Sequence, residues 1–230
     1  MGFQIKRREF NEEDRRQFRE RLLADLDQLR AHLEAGRFCE QEDSLGAEVE
    51  LVIVDAQGDP LPLGSTLKGE LESPQWALEI DRFNLEFNLS PVVAAGAPFS
   101  AMKSELDAAL AIADRSAKQR GGSLRMTGIL PTLQAAHLGS SAMSDLPRYH
   151  VMSEAIREAR QAGIAIAIDG TEPLHALAED VTWEGANTSF QLHMRVAANE
   201  FSKLYNAMQL ATAPALALST NSPFFCGHDL

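Results

Sequence analysis

Between Ser44 and Asp55 the sequence alternates without a break: Leu45, Ala47, Val49, Leu51 and Ile53 fill one set of positions, Gly46, Glu48, Glu50, Val52 and Val54 the other. Successive side chains of a strand point to opposite faces, so this period of two predicts a strand with one face to bury and two carboxylates on the other. Gln57-Gly58-Asp59-Pro60 then reads as a turn. Such a strand needs helices against its apolar side, and either solvent or a ligand against its acids.

The remaining segments supply the helices. Asn11 is placed to cap a helix carrying Phe18, Leu22, Leu26, Leu29 and Leu33, stopped by Gly36, which gives an N-terminal helical segment within residues 1–40. Residues 56–75 read as a long irregular excursion, and an extended pattern resumes at Ala77 to Ser90, with Leu85, Phe87 and Leu89 opposite Asn84, Glu86 and Asn88. Pro98 opens a helix with Met102, Leu106, Leu110 and Ala113 on one side, ended by Gly121-Gly122. Ser123 to Ile129 is an expected strand, Leu130 to Pro147 an irregular loop, Arg148 to Ala162 a helix, and Ile164 to Asp169 a short apolar strand. A polar loop leads to Asn187–Val196, where Phe190, Leu192, Met194 and Val196 alternate with Ser189, Gln191, His193 and Arg195. The last helix is expected from Asn199 to Ala213, ending at Pro214.

No repeat or Gly/Ser linker interrupts the chain, which predicts a single domain over residues 1–230. Several strands are amphipathic rather than apolar on both faces. That favours an α+β fold: a mainly antiparallel sheet with helices on one face and an open, concave second face.

Charge narrows the partners. With 33 Asp and Glu against 21 Lys and Arg, the formal net charge is −12, and no basic stripe is present to follow a phosphate backbone. Nucleic acid is not an expected partner, and an anionic nucleotide would need divalent cations between its phosphates and these carboxylates. Met1 to Arg16 lacks the apolar core of a signal peptide, and no apolar run approaches the roughly 20 residues of a membrane span, so no membrane association is expected and the cytoplasm is the expected compartment. Cys39 and Cys226 lie outside any CxxC spacing and read as ordinary reduced thiols.

Glu48 and Glu50 project from one strand face about 7 Å apart. Two like charges so close become favourable with a cation between them, and Mg²⁺ or Mn²⁺ prefers oxygen ligands, although Glu-x-Glu alone fits a solvated strand face better. Glu86 adds a carboxylate between Asn84 and Asn88, and Glu79 lies seven residues earlier. His193 shares its face with Gln191 and Arg195 opposite a fully apolar one; its imidazole suits a carboxylate metal site or, equally, a cross-strand pair with an acid. Arg195 is suited to phosphate oxygens. The weight lies in three separate strands each presenting metal-competent groups.

In this order the motifs resemble the glutamate-cysteine ligases, within the glutamine synthetase and glutamate-cysteine ligase superfamily. They are Gly46-Ala47-Glu48-Val49-Glu50, Glu79 to Phe87, Arg148-Tyr149, Gln191-Leu192-His193-Met194, and Ala217 to Phe224. The resemblance runs from about residue 45 to 225. It implies an antiparallel sheet whose concave face holds two or three Mg²⁺ or Mn²⁺ ions, with ATP at one end and the amino-acid substrates at the other. Glu48, Glu50, Glu79, Glu86 and His193 would be metal ligands. Arg148, Tyr149 and Asn221 would lie in the substrate region, and Arg195 would serve phosphoryl transfer as a catalytic residue.

The implied reaction joins the γ-carboxylate of glutamate to the amine of cysteine at the expense of ATP. Two departures stand out. Gln191 occupies a position where many relatives carry a second histidine, and the resemblance implies further metal- and nucleotide-binding residues after residue 230, as in a truncated chain. The alternatives are a ligase for a different amine acceptor, or a non-catalytic nucleotide- or protein-binding domain of the same fold. Self-association into a homo-oligomer is left open.

Overall fold

The computed structural model describes residues 5–38 and 42–230, so Cys39 lies outside the described residues. In chain order the elements are α1 (Glu12–Glu34), β1 (Ser44–Val54), α2 (Gly64–Glu70), β2 (Trp76–Leu78), β3 (Asn84–Asn88), β4 (Val92–Val93), α3 (Pro98–Gln119) and β5 (Ser123–Arg125). They continue with α4 (Pro147–Arg160), β6 (Ile164–Ile168), β7 (Leu174–Ala178), α5 (Thr182–Gly185), β8 (Phe190–Arg195), α6 (Phe201–Ser219), β9 (Phe224–Phe225) and β10 (His228–Asp229). The fold is α+β, and every ladder among the described residues is antiparallel.

β1 is the spine. It pairs with β3 from Glu48 to Val52 and with β8 from Ser44 to Val49, so these two strands hold its opposite edges. Short β4 and β5 finish those edges at either end, and β2 extends the sheet beyond β3. The apolar set of β1 enters a core with Trp76, Leu85, Phe87 and Leu89 of the sheet, Leu67 of α2, and Met102, Ala113 and Ala117 of α3. Leu51 and Leu85 are fully buried there, each contributing about 2 to 3 kcal/mol by removing its side chain from water. On the other face, Val52 and Val54 pack with Phe83, Leu130, Leu133, Leu174 and Phe225. That second cluster plugs one end of the polar face.

Several elements differ from expectation. The excursion over 56–75 contains α2, a helix too short for periodicity to reveal; it forms because Leu67 is buried and Gly64 lies against the backbone oxygens of Arg82 and Asn84. A Cβ at Gly64 would stand 2.8 Å from both oxygens. The extended stretch from Ala77 folds back as the β2–β3 hairpin, the expected strand from Ser123 stops at Arg125, and the polar loop contains β7 and α5. α6 runs through Pro214 to Ser219 rather than ending at the proline.

α1 starts as its sequence dictates. Asn11 Oδ1 accepts from the Asp14 amide at 2.9 Å, the Asp14 carboxylate accepts from the Asn11 amide at 3.0 Å, and acidic residues fill the positive end of the helix. Yet none of its residues is buried; Leu22, Leu26, Leu29 and Leu33 all remain exposed. Among the described residues, no helix is long and apolar enough to cross a membrane.

Candidate active site

Residues paired directly across antiparallel strands share a face, so the ladder registers decide which predicted residues meet. Glu50 lies opposite Glu86, Glu48 opposite Asn88 on one side and Gln191 on the other, His193 opposite Gly46, and Arg195 opposite Ser44. Ala77 is the partner of Glu86 on β2, and alternation carries the same face to Glu79 just past the strand end. All the sheet-borne candidates therefore project from the face that α2 and α3 leave uncovered.

Glu50, Glu79 and Glu86 form the inner part of the site. Burial first, then the charges of Glu86 and Glu50, push the Glu79 carboxyl up to about 8, while the Arg148 guanidinium pulls the other way. Burial also raises Glu50, and the charge of Glu86 adds to it; donation from Ser189 and Gln191 opposes the shift. Glu50 Oε2 accepts from the Ser189 amide at 2.8 Å, and the Gln191 amide group approaches Oε1 at 3.4 Å. Asn88 donates to Glu86 Oε1 at 2.5 Å.

Arg148 and Tyr149 arrive from the start of α4, where Pro147 presets the first helical turn. Arg148 donates to the Leu78 carbonyl at 3.0 Å, beside Glu79, and Tyr149 Oη donates to the same oxygen at 3.0 Å. The guanidinium sits 4.5 Å from the Tyr149 ring centroid. Burial pushes the Tyr149 phenol above its ordinary range, so it stays a neutral donor. These two residues bring a cation and a hydroxyl to the acidic wall.

A second group lies further along β1. His193 Nε2 is 3.8 Å from Glu48 Oε2, with the imidazole half exposed. Arg195, at the Ser44 end, donates to the Glu42 carbonyl at 2.9 Å. The structure thus places Arg195 on the same face as Glu50 but at the first residue of β1, away from the Glu50–Glu86 pair in the strand's interior. Asn221 approaches from the segment after α6: its Oδ1 accepts from the Gly128 amide at 3.1 Å.

Nothing in the sequence pattern marked Asp81. It is fully buried at the β2–β3 turn, neither of its oxygens has a hydrogen-bond partner, and burial together with Asp180, Glu184 and Glu79 pushes it up to about 8. Ser189, which holds Glu50, was likewise indistinguishable from any polar strand residue. A groove of about 400 Å³ between α3 and β5, lined by Leu51, Leu110 and Met126 among others, opens on the covered side of the sheet, away from these carboxylates.

The donor set of the open face, carboxylate oxygens crowded into partial burial with an imidazole further out, suits a hard divalent ion. Among the described residues, no three His, Cys, Asp or Glu side chains are drawn together closely enough to cage one. The like-charge crowding that lifts Glu79 is the state that such an ion relieves.

The family model for glutamate-cysteine ligase family 2 matches residues 44–230. The chain belongs to that family. The matched stretch runs from β1 through β10 and leaves α1 outside it. Comparison with curated proteins and with solved structures finds no match. Membership of glutamate-cysteine ligase family 2 gives a ligase-type enzyme acting on small molecules.

Proposed function

We propose that the protein is an ATP-dependent carboxylate-amine ligase of the cytoplasm that forms γ-glutamylcysteine, the first step of glutathione biosynthesis. The observation that carries this reading is the Glu50–Glu86 register with Glu79 and Arg148 beside it, on the sheet face that α2 and α3 leave uncovered. Glu48, Glu50, Glu79, Glu86 and His193 would hold Mg²⁺ or Mn²⁺. When bound, the ions neutralise the triphosphate and the charge gathering on the transferred phosphoryl group.

A carboxylate is a poor electrophile. Its oxygen first attacks the γ-phosphorus of ATP, releasing ADP and leaving a γ-glutamyl phosphate; the amine nitrogen of cysteine then displaces phosphate and loses a proton to give the amide. No protein nucleophile takes part. Arg148 and Tyr149 would orient the glutamate substrate from the start of α4, Asn221 would support that region, and Arg195 would meet phosphate oxygens at the outer end.

The test is phosphate release from ATP with glutamate alone, with glutamate plus cysteine, and with glutamate plus a panel of other amines. Turnover that depends on cysteine supports the reading. Turnover with another amine instead replaces the acceptor, and Mg²⁺-ATP binding without turnover on any of them points to a non-catalytic nucleotide-binding domain.

A further inference from the structure

We propose that Asn221 and Ser222 act together as a latch that sets the direction of the Glu50 carboxylate, as positioning residues working through two loop segments. The inference rests on the reading of Glu50 as a metal ligand given above.

Three contacts build the latch. Ser222 Oγ accepts from the Ile129 amide at 2.7 Å and donates to Asn221 Oδ1 at 2.9 Å. The same Asn221 oxygen accepts from the Gly128 amide at 3.1 Å. Two consecutive backbone amides are thus held by two consecutive side chains. Gly128 has to lack a side chain for this to happen, because a Cβ there would run into Ser222 Oγ and stand 3.0 Å from Asn221 Oδ1.

The held segment grips the next one. The Gly128 carbonyl accepts from the Thr188 amide at 2.7 Å and from Thr188 Oγ1 at 3.1 Å, and Ile129 bridges Asn187. One residue further, Ser189 is locked to Glu50 on both sides: its amide donates to Glu50 Oε2 at 2.8 Å, and its carbonyl accepts from the Glu50 amide at 2.9 Å. Glu50 lies directly opposite Glu86 in the ladder, so its carboxyl group has reason to turn away from the acidic wall. The Ser189 amide is the strongest donor holding it. Whatever fixes Thr188 and Ser189 fixes the direction in which Glu50 offers its oxygens.

The test compares Ser222→Ala, Asn221→Ala and Gly128→Ala with wild type and with Glu50→Gln. Mn²⁺ binding is followed by electron paramagnetic resonance, and amide hydrogen exchange is read at Ser189, with Leu51 and Leu85 as core controls. The expected result is a loss of about tenfold in Mn²⁺ affinity for each latch variant. Faster exchange at Ser189 should accompany it, with Leu51 and Leu85 as protected as in wild type. Wild-type affinity and Ser189 protection in Ser222→Ala and Asn221→Ala overturn the latch and leave the metal site standing. Equal loss of protection at the core amides overturns it too, since the residues are then merely structural. Should Glu50→Gln bind Mn²⁺ as well as wild type, the metal reading fails and the latch falls with it.

Discussion

Glu79 offers the sharpest test of the acidic face. Its carboxyl, ordinarily near 4.5, is pushed to about 8 by burial and by Glu86 and Glu50. Near pH 7 the metal-free protein therefore keeps a proton there, and a divalent ion that takes Glu79 as a ligand must expel it. Each pH unit below that value costs about 1.4 kcal/mol of binding, so Mn²⁺ affinity should climb about tenfold per unit from roughly pH 6 to 8 and level off above. Calorimetric titration of Mn²⁺ in buffers of different protonation enthalpy counts the proton directly. About one should be released near pH 7 and almost none above roughly pH 9. Glu79→Gln has no proton to lose, so it should bind more weakly and with a flat pH profile. Tight binding by wild type with no proton release near pH 7, or unchanged release in Glu79→Gln, would refute the account.

Three further outcomes are expected. Asp81 ionises near 3.8 when unfolded but is held at about 8 in the fold, so the stability it contributes is complete below about pH 4 and lost as pH rises through 8. The slope approaches 1.4 kcal/mol per pH unit; denaturant unfolding should show Asp81→Asn gaining on wild type steadily between roughly pH 5 and 8. Leu51→Ala, in the fully buried middle of β1, should cost about 2 to 5 kcal/mol, read as a lower denaturation midpoint at unchanged slope. Arg148→Lys keeps the charge but loses the forked donor, and should raise the KM for glutamate about tenfold or more in the phosphate-release assay.

What could be read from the sequence was whatever a strand's period of two records. β1 showed its burial pattern outright, and the same alternation put Glu48, Glu50, Glu86 and His193 on polar faces. Register was invisible: no local signal says that Glu50 faces Glu86, or that Arg195 ends up opposite Ser44 and far from Glu50. Glu79 joins the wall only because the chain reverses between Leu78 and Asn84, a turn made by the buried Asp81 rather than by a Gly-Asn or Pro-Gly signal. α2 was missed because two glycines in a helix of seven residues argue against helix, and tertiary contacts at Gly64 and Leu67 override that preference. The end of α6 was placed too early because Pro214 removes one intrahelical donor; the structure carries the helix past it.

β1 sits between partners from distant parts of the chain, with β3 on one edge and β8 on the other. During synthesis the Glu50–Glu86 half of the sheet can zip together before β8 has left the ribosome. The edge that meets His193 must wait, bare, for a strand made much later. A nascent chain of this protein therefore carries an open pairing edge until β8 is made, which makes that edge the natural place for a chaperone to bind and for early misassembly to begin.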